Sequence, residues 1–186
     1  PLFGEHNMQN MKAALEVSMK LGLTEKQFLE SMGSFRGASK RLQLLARGKD
    51  SLCYLDFAHA PSKVRATVQA VRRQYPDHTL ICLLELHTFS SLNRAFLPQY
   101  AHTLDGADHA VVFYQEHTFE MKRLPTLMDT EVDEAFSYPG LRILKQPADI
   151  PIYLDQLPAG KKVFLFMTSG TFGGTNLPDL ARKLVQ

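Results

Sequence analysis

The chain has 186 residues, 45% of them hydrophobic, which suits one ordinary domain with a full core plus a small attachment. Its 21 Lys and Arg against 19 Asp and Glu leave a net charge of +2, with the basic residues scattered apart from short groups such as Arg72 and Arg73, so charge does not indicate a nucleic-acid partner. No apolar run approaches the roughly 20 residues of a membrane span, PLFGEHNMQN has no signal-peptide core, and Cys53 and Cys82 lie in apolar runs without metal-ligand spacing, so a cytoplasmic chain with buried reduced thiols is expected.

Pro1 is not an initiator residue, and GEHNMQNMKAALEVSMKLG enters a helix almost at once, so the expectation is a chain cut from something longer. Met11, Ala14, Leu15, Ser18 and Met19 recur on the inner face of that helix. Gly22 ends it, Thr24 caps the next helix (EKQFLESM), and Gly33 closes that one. FRGASKRL follows as a link, and Arg41 to Ala46 with Ser51 to Leu55 make a hairpin around Gly48, Lys49 and Asp50. Leu52, Cys53, Tyr54 and Leu55 read as a strand covered on both faces, where alternation disappears. Asp56 and His59 fall where the strand ends, and Pro61 fits the first turn of a helix with Val64, Thr67, Val68 and Val71 at helical spacing. Ala60 has no side chain to cap that helix, so backbone N–H groups are free to meet an anion. Read alone, the turn is equally a plain strand-to-helix corner.

A strand at Thr79 to Leu84 follows, then polar ELHTFSSLNR and a helix to about Leu104. A strand at Ala110 to Tyr114 precedes a loop and a helix near Glu131 to Phe136. Leu141 to Leu144 and Lys162 to Met167 supply two more strands, the second running into TSGTFGGTN and a final helix ending near Val185. This alternation predicts an α/β fold: a mostly parallel six-stranded sheet with helices on both faces and Arg41 to Ala46 as its antiparallel edge. Parallel strands point their carboxyl ends one way, so DFAH (Asp56 to His59), ELHTFSS (Glu85 to Ser91) and TSGTFGG (Thr168 to Gly174) converge on one rim, where open α/β sheets bind ligands. TSGTFGG suits a backbone anion cradle but has neither a P-loop lysine nor G-x-G-x-x-G spacing, and a flexible turn explains it as well. His87 by itself reads equally as a rim histidine without a ligand.

GEHNMQN, FRGASKR and DFAHAPS, in that order and at those separations, resemble the Mur ligases, the ATP-dependent enzymes that join amino acids or peptides to UDP-N-acetylmuramic acid precursors of the cell wall. The resemblance covers the whole chain. It implies a Rossmann-like C-terminal domain over residues 38–186, preceded by residues 1–37 as the helical remnant of a central P-loop ATPase domain, with an N-terminal UDP-sugar domain further upstream. DFAHxP with ELHTFSSLN and the closing FGG is similar to the branch that attaches L-alanyl-γ-D-glutamyl-meso-diaminopimelate to UDP-N-acetylmuramate in murein recycling; the branch that attaches L-alanine is next.

The resemblance also assigns roles. Asn7 and Asn10 match the HNxxN motif, whose amides donate and accept at once, as a purine edge requires. Arg41 matches an arginine that reaches the nucleotide from the linker, Asp56 an acid that accepts from ribose hydroxyls, and His59 a histidine near the phosphates. His87, Ser90, Ser91 and Asn93 occupy the loop that meets the incoming amino acid or peptide, and Thr168, Ser169, Gly170 and Phe172 resemble a second substrate-binding turn. Several relatives carry an arginine where His87 stands, and Arg94 is the nearby substitute. The implied cofactors are ATP and Mg²⁺, yet nothing here is a G-x-x-x-x-G-K-[ST] loop or an obvious Mg²⁺ carboxylate set. No catalytic residue and no metal ligand is therefore expected within this chain, which should be inactive alone, Mg²⁺ being held mainly by the absent central domain. The competing readings are a non-catalytic nucleotide-binding module and, less so given ELHTFSSLN, a folylpolyglutamate synthase.

Overall fold

The computed structural model describes residues 3–35 and 37–186; Pro1, the Arg36 of FRGASKR and the side chain of the His6 of GEHNMQN lie outside what it describes. In chain order the elements are α1 (Glu5–Lys20), α2 (Glu25–Met32), β1 (Gln43–Arg47), β2 (Ser51–Asp56), α3 (Pro61–Gln74), β3 (Thr79–Glu85), a 3₁₀ turn (Leu97–Tyr100), β4 (His109–Phe113), α4 (Glu116–Lys122), α5 (Asp129–Phe136), β5 (Arg142–Leu144), α6 (Asp149–Asp155), β6 (Lys162–Met167) and α7 (Leu177–Leu184).

The strands form one six-stranded sheet in the order β1-β2-β6-β3-β4-β5, with β1 antiparallel to β2 and every other pair parallel. Side chains alternate across each strand, so continuous apolar runs feed two separate cores. Leu52, Tyr54, Cys82 and Leu84 pack with Val64, Val68 and Val71 of α3 on one face. Cys53, Leu55, Ile81, Leu83 and Phe164 pack with Ile150 and Leu154 of α6 and Leu180 and Ala181 of α7 on the other. Both cysteines are free and buried, and burial pushes the Cys53 thiol up to about 12 and the Cys82 thiol higher.

Connections from β2 and β3 run over the α3 face, while the chain enters and leaves the intervening β6 through α6 and α7 on the opposite face. The carboxyl end of β6 is therefore flanked on both sides by a switch of face, the position at which open α/β sheets bind ligands.

The first two helices stand apart from the sheet. Phe3 sits edge-on to Tyr54 and Tyr75, and Glu5 reaches Arg73 at 3.9 Å, which docks the start of α1 near α3. Of the inner face expected for α1, Met11, Leu15 and Ser18 are half-buried, whereas Ala14 and Met19 are exposed. Thr24 and Gln27 close a capping box on α2, as expected of Thr24.

Three expectations are corrected. Arg41 does not begin the edge strand: Lys40 (φ 53°) and Leu42 (φ 44°) take left-handed backbone on either side of it, so the chain cannot extend until Gln43. The helix expected to reach Leu104 is one 3₁₀ turn, because Pro98 supplies no N–H and His102 turns left-handed at φ 60°. Helices α4 and α6, each 7 residues, occupy stretches where the sequence pattern predicts no helix. They bury only Thr118 with Phe119, and Ile150 with Leu154, too few positions for a periodic signal, and Pro151 sits in the first turn of α6, where its missing N–H costs nothing.

Candidate functional site

The expected convergence of three strand ends occurs. Thr168 N–H donates to the Asp56 carbonyl at 3.0 Å, so the ends of β2 and β6 adjoin, and Glu85 closes β3 on the other side of β6. At roughly 4.8 Å per strand spacing, Asp56 and Glu85 stand about 10 Å apart.

Asp56 is 3% exposed, and its carboxylate works within the fold. Oδ2 accepts from Leu42 N–H at 2.7 Å, while Oδ1 accepts from Ala58 N–H at 2.7 Å and lies 3.5 Å from the Thr67 hydroxyl. The left-handed linker and the turn into α3 are thus pinned by one side chain. Beyond it, Pro61 starts α3 and Ala60 provides no side-chain cap, as the sequence suggested.

A cleft of about 600 Å³ lies between α1, the linker and the first turns of α3, a volume within the range of small-molecule sites. Asn7, Asn10, Arg41 and Asp56, dispersed along the sequence, all line it. Ser62, Lys63 and Thr67 line it too and were missed. The signal for Lys63 was its place in PSK, a cation in the uncapped first turn of a helix beside an acid. Asn7 Nδ2 donates to the Phe3 carbonyl at 2.9 Å, which fixes its amide. His59 is not in the cleft lining; Nδ1 lies 2.8 Å from the Phe57 carbonyl, and because a carbonyl only accepts, Nδ1 carries a proton and Nε2 is left for other partners. Tyr100 donates to the His59 carbonyl, and burial pushes its hydroxyl up to about 12, so it remains a donor.

The second half of the rim is organised by Glu85, which sequence reading left unassigned. This carboxylate is 3% exposed; its Oε2 accepts from the Thr168 hydroxyl and, at 2.9 Å, from Phe172 N–H. Thr168 Oγ1 in turn accepts from Gly170 N–H at 2.6 Å. Residue 170 must be glycine for this turn to close: a Cβ there would stand 2.8 Å from Glu85 Oε2 and 3.0 Å from His87 Cγ. His87 thereby joins the Thr168–Gly170 turn. Ser169 Oγ is sealed from solvent without a partner among the described residues.

The remaining expected substrate contacts divide. Ser90 and Asn93 are exposed on the loop, with Asn93 Oδ1 accepting from Ala95 N–H at 2.8 Å. Ser91 is buried in reciprocal bonds with Thr88, at 3.0 and 3.1 Å, and shapes the loop from within. The Phe172 side chain is a correction: it is fully buried between Phe113 and Phe166 in the core, so only its backbone belongs to the rim. Arg94 is engaged elsewhere, its Nε lying 2.6 Å from Glu131. Among the described residues no three His, Cys, Asp or Glu side chains gather as a metal site.

Comparison with known proteins locates the chain further. Residues 40–142 match the family model described as "Mur ligase, glutamate ligase domain". The UDP-N-acetylmuramate–L-alanine ligase of Lacticaseibacillus casei (strain BL23) is 37% identical over 108 residues, which is 58% of this chain and 24% of that protein; the chain thus spans about a quarter of that relative's length. Among solved structures, a murein peptide ligase from Psychrobacter arcticus 273-4 superposes with a TM-score of 0.66 at 20% identity, over 97% of this chain and 38% of that one. The MurF ligase of Thermotoga maritima in complex with ADP gives a TM-score of 0.68 at 18% identity, over 98% of this chain and 39% of that one. At those identities the structures speak for the fold, a Rossmann-like α/β sheet.

Proposed function

The chain belongs to the Mur ligase family, and from that premise we propose that it is the C-terminal part of an ATP-dependent ligase that joins the carboxylate of UDP-N-acetylmuramate to an amine-bearing acceptor in the cytoplasm. Residues 38–186 are its C-terminal domain and residues 1–37 the end of its central ATPase domain. The observation that carries this reading is the cleft in which Asn7, Asn10, Arg41 and Asp56 meet. Two amides suit a purine edge, the guanidinium suits a phosphate or a stacked base, and a carboxylate suits ribose hydroxyls. Lys63, in the uncapped first turn of α3, adds a charge for phosphate, and His59 offers Nε2 from the same turn.

In the reaction, the carboxylate of the UDP-sugar attacks the γ-phosphorus of ATP, giving an acyl phosphate and ADP; the acceptor's ammonium group gives up a proton to solvent, the neutral amine adds to the acyl carbon, and the tetrahedral intermediate collapses to the amide as hydrogen phosphate leaves with the second nitrogen proton. Positioning and charge stabilisation dominate both steps. This chain's residues hold the nucleoside in the cleft and orient the acceptor through the loops around His87 to Asn93 and Thr168 to Phe172. Packing of this domain against the ATPase domain excludes water, which would otherwise hydrolyse the acyl phosphate.

The acceptor we favour is L-alanyl-γ-D-glutamyl-meso-diaminopimelate. L-Alanine is the second reading, favoured by the L-alanine ligase that is 37% identical over 108 residues. A coupled phosphate-release assay on the full-length protein, with ATP, UDP-N-acetylmuramate and a panel of amino acids and peptides, tests both. Turnover with the tripeptide and not with L-alanine is expected, the reverse selects the second reading, and release with no acceptor of the panel overturns the ligase assignment. Residues 1–186 alone should release no phosphate.

A further inference from the structure

The mechanism above leaves half of a buried carboxylate unused. Glu85 Oε2 is saturated by the Thr168 hydroxyl and Phe172 N–H, whereas Oε1 makes no hydrogen bond among the described residues. Oε1 is also not among the polar atoms sealed away from solvent without a partner, so it keeps a small opening to solvent at the end of β3. Glu85 takes part in none of the ion pairs among the described residues. A carboxylate so largely removed from water and left without a cation is costly. Its position is specific as well: it closes β3 next to β6, at the switch of face where ligand crevices form, with His87 and Gly170 around it.

We infer that Glu85 is the acceptor-recognising carboxylate of this rim: Oε2 builds the Thr168–Phe172 turn, and Oε1 receives the acceptor's amino group and orients it. The inference rests on the ligase reading given above. Of that reaction's three substrates, ATP and UDP-N-acetylmuramate are polyanions that a carboxylate repels, and only the acceptor brings an ammonium group. One side chain then couples the shape of the turn to the identity of the ligand. A hydroxyl in place of the amine loses the charge that Glu85 reads, which makes Glu85 a specificity-determining residue.

The test uses the full-length ligase and Glu85→Gln. The glutamine carbonyl can keep accepting from Thr168 and Phe172, while its NH₂ replaces the anionic oxygen at that opening. The expected result is an acceptor KM raised about tenfold or more, the worth of a hydrogen bond to a charged group. The KM values for ATP and UDP-N-acetylmuramate and the melting temperature should hardly move. A second readout is the ratio of affinities for L-alanyl-γ-D-glutamyl-meso-diaminopimelate and its analogue with L-lactate in place of L-alanine, or for L-alanine and L-lactate if L-alanine is the substrate. The wild type should prefer the amine, and Glu85→Gln should lose that preference. An unchanged acceptor KM, or a parallel rise in all three KM values, overturns the inference while leaving the ligase intact. If the wild type ligates no acceptor, the functional reading itself has failed. Where Glu85→Gln loses the fold, Glu85→Asp and Glu85→Asn, equal in length and different in charge, repeat the comparison.

Discussion

Asp56 has two duties, and they are separable by experiment. Its oxygens hold the N–H groups of Leu42 and Ala58, both at 2.7 Å, and it also lines the cleft proposed for the nucleoside. Each carboxylate oxygen has more than one lone-pair site, so the internal bonds leave capacity for a ribose hydroxyl. Asp56→Ala in the full-length enzyme should raise the KM for ATP far more than that for UDP-N-acetylmuramate; equal changes in both would refute the ribose contact. The same substitution leaves two backbone N–H groups unpaired, a loss of about 1–3 kcal/mol each where they are buried. Calorimetry should therefore show a lowered melting temperature as well. The linker adds a reason: Lys40 and Leu42 hold left-handed backbone at roughly 1–2 kcal/mol each, and Asp56 is what keeps Leu42 there. Losing that anchor frees Arg41, which sits between them.

At the scale of elements, the turn after β6 is held from two sides. Glu85 grips its rim face, and Phe172, at φ 48°, drives its ring between Phe113 and Phe166 on the core face. Phe172→Ala should cost about 3–5 kcal/mol, as for other buried aromatics. It should also weaken acceptor binding, because the backbone that Glu85 grips loses its anchor; urea unfolding and acceptor KM check the two parts, and a stable variant with normal KM would contradict this account. The sequence carried the strands plainly, since runs such as Leu80 to Leu84 are apolar on both faces and leave one reading. It also carried the cleft, through residues that a family resemblance could align. Glu85 was harder: a glutamate closing an apolar strand looks like any polar residue at a strand end, and only the turn folded over it, 83 residues later in the chain, shows its role. Short helices such as α4 escaped for a different reason, since one and a half turns repeat too little to declare a period.

Across the whole molecule, two acidic ties bind the layers, one at each end of the sheet. At the amino ends of the strands, the Arg72 guanidinium of α3 donates to the Gly106 carbonyl at 2.8 Å and the His78 carbonyl at 3.0 Å, and pairs with Asp108, which also accepts from Leu80 N–H at 2.7 Å. At the carboxyl ends, Asp129 of α5 accepts from the Tyr114 hydroxyl at 2.6 Å and pairs with Lys145 at 2.9 Å. Burial opposes the charge of both aspartates, but for Asp108 the Leu80 N–H and Arg72 outweigh it, and for Asp129 the Tyr114 hydroxyl and Lys145 do, so both carboxyls titrate below their ordinary range. A carboxyl lowered on folding contributes stability that is complete above its unfolded pKa, about 4, and is lost as the pH falls through its lower folded value. Lys145 shifts the other way, raised chiefly by its bond to Asp129, so its contribution is complete below about 10 and is lost as the pH rises beyond. The melting temperature should therefore be level between those limits with respect to these groups and fall on the acid side below about pH 4. Asp108→Asn and Asp129→Asn should each lower the plateau and make the acid limb shallower, because the group that would have been protonated there no longer titrates. Lys145→Met should lower the plateau too and soften the alkaline limb. Thermal unfolding followed by circular dichroism across the pH range decides the matter: acid limbs of wild-type steepness in both aspartate variants would mean that the ties do not link proton binding to folding.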